Sequence, residues 1–467
     1  MKVKILIISL CGFVLPMSAF AQTSVTVKHP HFPRHTQKTI IKERQGYMYA
    51  TVTCSNTPEK TTFIYADEGM QSTERDLKDI FVNDMFVDKD SVYFCGKHHP
   101  TGNGIVGYFR IDKFFNNVEP AYVDTVLFAG DDGYRMDELT RITVFKDPME
   151  IRHIISIGKT KKEKYPCIVN LLLDFNTHMY WGGCVKDADE EFTDLEIVYN
   201  REGNPYLVTA GYDTTYGRYL SIRVHDLLFF TTSNIQDWRH VYCVDTSYVR
   251  QWLDGGVLLA ATEPHTFATV SYRKNAKEGD IHLKLNHTIH LGLYDIDDII
   301  THSVYGMTDN YEMELNTTSD RLMNEFIYNK LKEIMVFLHT YTDNTTGVVS
   351  NEYCEIKPSL LSTSGTLSAY TNPDKMLFGL SIYNNRNKYI LSGYDLANPD
   401  TLKYQMNTYS ITSQCADPIE YKYVQHKPIV SMNALKQFNY KNTIGVPVEF
   451  GEDEMENWPL YIECEAE

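Results

Sequence analysis

The chain has 467 residues, 43% of them hydrophobic, and a formal charge of −17. That composition is globular, which sets aside disordered and collagen-like classes. An acidic surface repels phosphate backbones and anionic headgroups, so nucleic acid is excluded as the expected partner.

The first 21 residues read as an export signal. Lys2 and Lys4 make a basic start, residues 5–16 are an apolar run, and Ala19-Phe20-Ala21 is a small-x-small cleavage site. The expected mature chain is residues 22–467, a single domain. Cys11 lies inside the apolar run behind Leu10, the wrong setting for lipid attachment. The apolar run is shorter than the ~20 residues a spanning helix needs, and no later stretch suits a transmembrane segment. The expected location is therefore extracytoplasmic: periplasm, cell surface or medium.

Further along, residues 24–27 alternate like a short strand. His29-Pro30-His31-Phe32-Pro33-Arg34-His35 cannot be regular structure with two prolines so close. From residue 46 a theme recurs: a strand, a polar turn, then a second strand. The first strands are 92–96, 153–158, 206–211, 257–262, 334–339 and 388–393, with an earlier pair at 46–54 and 61–66. The second strands are 105–111, 165–173, 219–224, 269–273, 348–356 and 402–406. Gly96, Gly158, Gly211 and Gly393 close four of the first strands, where a missing Cβ lets backbones approach. The 33 tyrosines, with Phe, Val, Ile and Thr, suit half-buried pleated surface.

A loose period of about 40–60 residues, enough for four strands, predicts an all-β fold, a β-propeller. The units number seven, and the uneven spacing also admits six or eight blades. Residues 24–27 are the natural strand to close such a ring from the N-terminus. Residues 319–332 place Leu322, Phe326 and Ile327 at helical spacing behind Ser319 or Asp320, which reads as a short helix, with a strand as the competing reading.

Eight cysteines follow the signal, none in a CxxC pair, which argues against a zinc ribbon and a thioredoxin-like site. Residues 167–173 and 178–184 flank the turn Asp174-Phe175-Asn176-Thr177. If Leu173 faces His178, Cys167 faces Cys184, close enough for a disulfide. The alternative is two buried thiols acting as small hydrophobes.

Thr231-Thr232-Ser233-Asn234-Ile235-Gln236-Asp237-Trp238 resembles the Ser-x-Asp-Leu-x-x-Trp corner of secreted bacterial propellers, among them sugar-cleaving and sialidase-like folds. Here Thr232, Asn234 and Ile235 replace Ser, Asp and Leu, while Trp238 is kept. In those families the corner is structural, with Thr232 or Asn234 capping a turn and Ile235 and Trp238 filling the gap between blades. The strand rhythm as a whole resembles secreted β-propeller-like proteins of Bacteroides-type bacteria.

Candidate chemistry is sparse. A glycosidase needs two carboxylates about 5–9.5 Å apart, and Asp131, Asp132, Asp213, Glu263 and Asp295 lie near expected strand ends. The full sialidase box, G-x-S-x-G and H-E-x-x-H are absent. His29 and His31 could chelate, but the prolines favour an exposed segment. His282 and His290 share strand parity while His287 does not, so the three do not converge. Asp131-Asp132-Gly133 lacks the alternating ligands of a calcium loop. His98-His99 is read as solvated, yet loop 97–103 carries side chains found in no other unit. The expected function is a non-catalytic binding or interaction module, taking a glycan or another surface protein at the loop-rich face of the ring. The alternative is a carbohydrate-active, glycoside hydrolase-like enzyme with a carboxylate pair in the central funnel. Neither reading calls for a cofactor or metal.

Overall fold

The computed structural model describes residues 25–28, 36–44, 47–54, 60–66, 72–124, 136–147, 150–161, 164–173, 178–184, 190–213, 219–227, 239–242, 250–253, 257–262, 264–276, 286–302, 307–315, 320–329, 334–342, 349–356, 368–373, 375–383, 388–395, 401–408, 419–422, 429–431, 438–440, 443–450 and 456–464. Side chains are described within 61–65, 73–120, 136–147, 150–161, 164–171, 190–212, 220–227, 257–262, 264–270 and 292–301.

Among the described residues the strands make eight antiparallel sheets, six of four strands and two of five. In ring order, sheet 1 spans residues 36–77, sheet 2 80–124, sheet 3 136–184, sheet 4 190–242, sheet 5 250–315, sheet 6 320–373 and sheet 7 375–422. Sheet 8 spans 429–464 and takes its outer strand from residues 25–28. Each sheet begins with an inner strand that packs on the sheet before it. Examples are Ile80–Asp88, Met136–Lys146 and Glu190–Tyr199 in sheets 2, 3 and 4. Sheet 8 in turn touches sheet 1, so the series closes on itself. The fold is a β-propeller.

The expected closure by the N-terminus is observed. Val25–Lys28 pairs with Glu456–Cys464, with Val25 opposite Cys464 and Val27 opposite Ile462. This also explains why seven repeats in sequence become eight sheets. Sheet 8 draws on both chain ends, and its inner strand is split into Ile429–Ser431 and Phe438–Tyr440, so it carries no contiguous copy of the unit.

The cores lie between neighbouring sheets. The second strand of sheet 2, Ser91–His98, is buried on both faces. Val92 and Phe94 pack toward Phe63 and Leu77 of sheet 1, while Tyr93 and Cys95 pack with Leu139, Ile154 and Val169 of sheet 3. Alternation sends successive residues to opposite faces, so one strand feeds two cores. In sheet 3, Ile154 belongs to one core and Ile155 and Ile157 to the next. Two short helices, Ile111–Phe115 and Ile296–His302, follow the third strands of sheets 2 and 5. Phe114 stacks on Phe109 with ring centroids 4.2 Å apart, and Ile296 and Ile299 join the core between sheets 4 and 5.

Every inner strand with side chains described over its length carries a β-bulge. The register skips between Val82 and Asp84, between Leu139 and Arg141, and between Phe192 and Asp194. The extra residue makes core positions jump by three: Val82 to Met85, Leu139 to Ile142, Phe192 to Leu195. Opposite each bulge stands a glycine. A Cβ on Gly96 would sit 1.7 Å from the Phe81 carbonyl oxygen, and one on Gly211 1.7 Å from that of Glu191. The strand-ending glycines of the sequence are therefore the partners of bulges.

Strand pairing also corrects the helical expectation. Residues 320–329 form an inner strand, Asp320–Asn329, with a register shift between Met323 and Glu325. The strand is paired along its length with Ile334–Thr342, so the four-residue spacing of Leu322 and Phe326 does not mark a helix. The cysteine register is as expected, with Cys167 opposite Cys184 in the strand pair. Cys167 is buried in the core between sheets 2 and 3, and the side chain of Cys184 lies outside the described residues.

Candidate functional site

In each sheet the turn between the second and third strands lies at the end where the inner strand begins. Lys97 of sheet 2 reaches Asp137 near the start of the inner strand of sheet 3, so these ends of the two sheets share one face of the ring. Loop 97–103 sits there. Gly102 turns at φ +63°, and its N–H donates to the His98 carbonyl at 2.8 Å. The positive φ is the reason a glycine closes this turn. The Thr101 hydroxyl lies 3.0 Å from His98 Nδ1 and accepts from the Asn103 N–H. His99 is exposed and sets its ring edge-on to Phe81, 5.6 Å between centroids.

The neighbouring turn in sheet 3 leans onto this loop. Lys161 Nζ donates to the carbonyls of Thr101 and Gly102, each at 3.4 Å. Lys164 Nζ lies 2.7 Å from Asp137 Oδ2, and Lys97 Nζ lies 3.1 Å from Asp137 Oδ1. Asp137 is the residue skipped in the register between Met136 and Glu138, so a bulge frees it from the ladder and aims it between the two lysines. Burial pushes its carboxyl up, but hydrogen bonds from Lys164 and Lys97 outweigh this and hold it below the usual carboxylate range.

The pattern repeats one junction on. Lys159 follows Gly158 as Lys97 follows Gly96, and its Nζ meets Glu191 Oε2 of sheet 4 at 2.8 Å. The Tyr212 hydroxyl donates to the same carboxylate. Beside it, Glu190 takes a bidentate pair from Arg223 at 2.6 and 2.7 Å, with both side chains buried. The Asn83 amide donates to Glu138 Oε1 at 2.6 Å and to the Leu139 carbonyl at 2.9 Å. Two further carboxylates work inside the wall. Asp84 accepts from the backbone N–H of Ile142, and Asp194 from that of Leu259, each tying a bulge to the next sheet.

The carboxylates singled out from sequence are not part of this cluster. Asp295 is buried near the helix Ile296–His302, where it accepts from Arg201 Nη2 at 2.6 Å and from the Asp297 N–H, a structural role. Asp213 ends the strand Pro205–Asp213 and its side chain lies outside the described residues. Asp131, Asp132 and Glu263 also lie outside them, as do His29, His31, His35, His282 and the corner Thr232, Asn234, Ile235 and Trp238. His287 and His290 lie on the strand Asn286–Asp295, with their side chains outside the described set. Among the described residues no group of three metal-ligating side chains comes together. Sequence reasoning missed Asp137, Lys161 and Lys164. Aligning the units on their glycines would have exposed the repeated Gly-Lys step, and the lysine density of residues 159–164 marked the turn.

No family model and no curated protein matches the sequence. Among solved structures the chain is similar to a polysaccharide lyase, at 9% identity over 91% of this chain and 89% of that one, with a TM-score of 0.41. It is also similar to the β-propeller domain of the Trilobed protease from Pyrococcus furiosus, at 7% identity over 82% and 99%, TM-score 0.40. A third likeness is to an α-L-arabinanase from Penicillium chrysogenum, at 9% identity over 70% and 93%, TM-score 0.33. Likeness this distant carries no argument about activity, and the fold rests on the sheet topology itself.

Proposed function

We propose that the protein is a non-catalytic, extracytoplasmic binding module that takes a glycan at the face carrying loop 97–103. The observation that carries the reading is the state of four carboxylates at that face among the described residues. Asp137 is shared by Lys97 and Lys164, Glu138 is held by Asn83, Glu190 by Arg223 and Glu191 by Lys159. A glycosidase acid must keep its proton near neutral pH, which takes burial or like charge. Ion pairing does the opposite, and Asp137 is held down. Groups so occupied build a rigid rim instead of an acid–base pair.

The basic start, apolar run and small-x-small site of residues 1–21 support export, with the ring formed by the mature chain as one domain. Together with the corner at 231–238 they favour a place among secreted β-propeller-like proteins of Bacteroides-type bacteria. The deciding experiment pairs a glycan-array screen with a reducing-sugar release assay on the mature protein. Binding without product is expected. Product released from any polysaccharide would instead establish the carbohydrate-active reading, with a carboxylate pair elsewhere in the funnel.

A further inference from the structure

We infer that Cys167 and Cys184 are joined by a disulfide that straps the outer strand of sheet 3, His178–Cys184, to the third strand, Pro166–Leu173. This rests on the export reading above, because such a bond persists outside the reducing cytoplasm. The register carries it. Pairing runs without a shift from Leu173 opposite His178 to a last rung that sets Cys167 opposite Cys184. Opposed residues of an antiparallel pair project from the same side of the sheet, with Cα atoms about 4.5–5.5 Å apart. A disulfide spans about 4.4–6.8 Å, so either kind of rung accepts one without moving the backbone. Among the described strand pairs no other cysteine faces a cysteine. Cys54 stands opposite Thr36 and Lys60, Cys95 opposite Asp84 and Val106, Cys354 opposite Phe337 and Ala369, and Cys464 opposite Val25. Cys95 shares the core between sheets 2 and 3 with Cys167, but its thiol donates to the Leu139 carbonyl, with Sγ 3.7 Å from the oxygen.

The place of the pair gives the bond its work. His178–Cys184 is the last strand of its sheet, and the end of an edge strand is where a ladder opens first. Residues 174–177 close the hairpin at one end, and the disulfide closes it at the other. Just ahead of Cys167, Tyr165 completes the turn that leans on loop 97–103. Its N–H donates to Thr160 Oγ1 and its carbonyl accepts from the Thr160 N–H, each at 2.9 Å, while Lys161 reaches the carbonyls of Thr101 and Gly102. The strap therefore anchors the candidate face as well as the sheet edge. Cys167 is a thiol in the structure and 0% exposed, so the bond must form as the exported chain folds, before the core closes over it. One thiolate of the pair attacks the disulfide of an extracytoplasmic dithiol oxidase, and the other then displaces the oxidase from the mixed disulfide. The pair gives up two protons and two electrons, and the oxidant's disulfide takes them up as two thiols.

The test is alkylation mapping of the full chain, exported under its own signal and purified without reductant. Trypsin releases residues 165–186 as one peptide that holds both cysteines and no internal Lys or Arg. This peptide should refuse iodoacetamide, weigh two hydrogens less than the dithiol, and take an alkyl group on each cysteine after reduction. Cleavage at Met179 should leave two pieces joined until they are reduced. Cys184→Ala should raise the unfolding equilibrium constant roughly a hundredfold without reductant, and the difference from the parent should vanish when reductant is added. Alkylation of both cysteines before reduction, or a bond from Cys167 to any other cysteine, overturns the inference. A Cys184→Ala protein as stable as the unreduced parent overturns it as well. A chain that stays in the cytoplasm with its signal attached overturns the export reading instead. Refolding the reduced mature chain in a glutathione redox buffer, followed by the same mapping, then decides the disulfide by itself.

Discussion

Gly96→Ala tests the bulge-and-glycine device directly. In an ordinary strand the change stabilises by about 0.5–1 kcal/mol, because alanine has less backbone freedom to lose. Here the new Cβ would stand 1.7 Å from the Phe81 carbonyl oxygen, 2.8 Å from its carbon and 3.1 Å from Val82 Cα. All three obstacles are backbone, so no side-chain rotation clears them. The carbonyl must retreat by roughly 1.5 Å to reach ordinary contact distance. That strains a buried strand by about 1–3 kcal/mol and leaves a ladder hydrogen bond unmade, at about 1–3 kcal/mol more. After the alanine gain the expected net loss is about 1–5.5 kcal/mol. The measurement is the urea midpoint, compared at unchanged slope so that compactness is not confused with stability. Gly203→Ala is the control. Unlike Gly96 it has positive φ, +85°, but nothing lies within 4 Å of its Cβ, so only backbone strain of about 1–2 kcal/mol applies. Gly211→Ala should match Gly96→Ala. If Gly96→Ala proved as stable as the parent, or no worse than Gly203→Ala, the close approach would not exist and the bulge assignment would fall with it.

Arg223→Met should destabilise by about 3–5 kcal/mol, because Glu190 is left buried without its partner, and Glu190→Leu/Arg223→Met should recover most of the loss on the same denaturation assay. Asp194→Ala should cost about 1.5–3 kcal/mol through the orphaned Leu259 N–H, read as a lower urea midpoint. His153 is stacked on Phe145 and hydrogen-bonded to Asn170 and Asp147, and burial lowers its pKa against the raising effect of Asp147. Between its folded value and the ordinary 6.5 the unfolded chain binds the extra proton, so stability should fall as pH drops below about 6.5, and His153→Phe should flatten that part of the pH–stability curve. Removing residues 22–28 should expose the edge of Glu456–Cys464 and promote association, visible by light scattering.

What could be read from sequence follows from where each strand lies. The second and third strands of sheets 1–4, 6 and 7 were found because they give short apolar runs bounded by turns, and where side chains are described, as in Ser91–His98 and Arg152–Thr160, they are buried on both faces. The inner strands Met136–Lys146 and Glu190–Tyr199 went unseen although they are long, because each bulge breaks the two-residue period that identifies a strand. Asp320–Asn329 was read as a helix on the spacing of Leu322 and Phe326, and its own bulge likewise breaks the strand period. The closing strand at the N-terminus was legible, but as a lone strand and not as a member of an eighth sheet, since its partners lie some four hundred residues away and no local pattern records that pairing.

The candidate site was hidden for a related reason. Loop 97–103 stood out because its side chains are peculiar to one unit, yet what surrounds it comes from the next unit: Asp137, Lys161 and Lys164. A propeller builds each junction from the end of one repeat and the start of another, so its chemistry lies across the repeat boundary. The ionic contacts follow the bulges closely. Asp137 is released by one, Asn83 by another, and Lys97 and Lys159 each follow a glycine that a bulge requires. The device that locks successive sheets together therefore also sets which charges reach the rim. A substitution that removed a bulge should accordingly displace the charges at the neighbouring junction even where the ring remains folded.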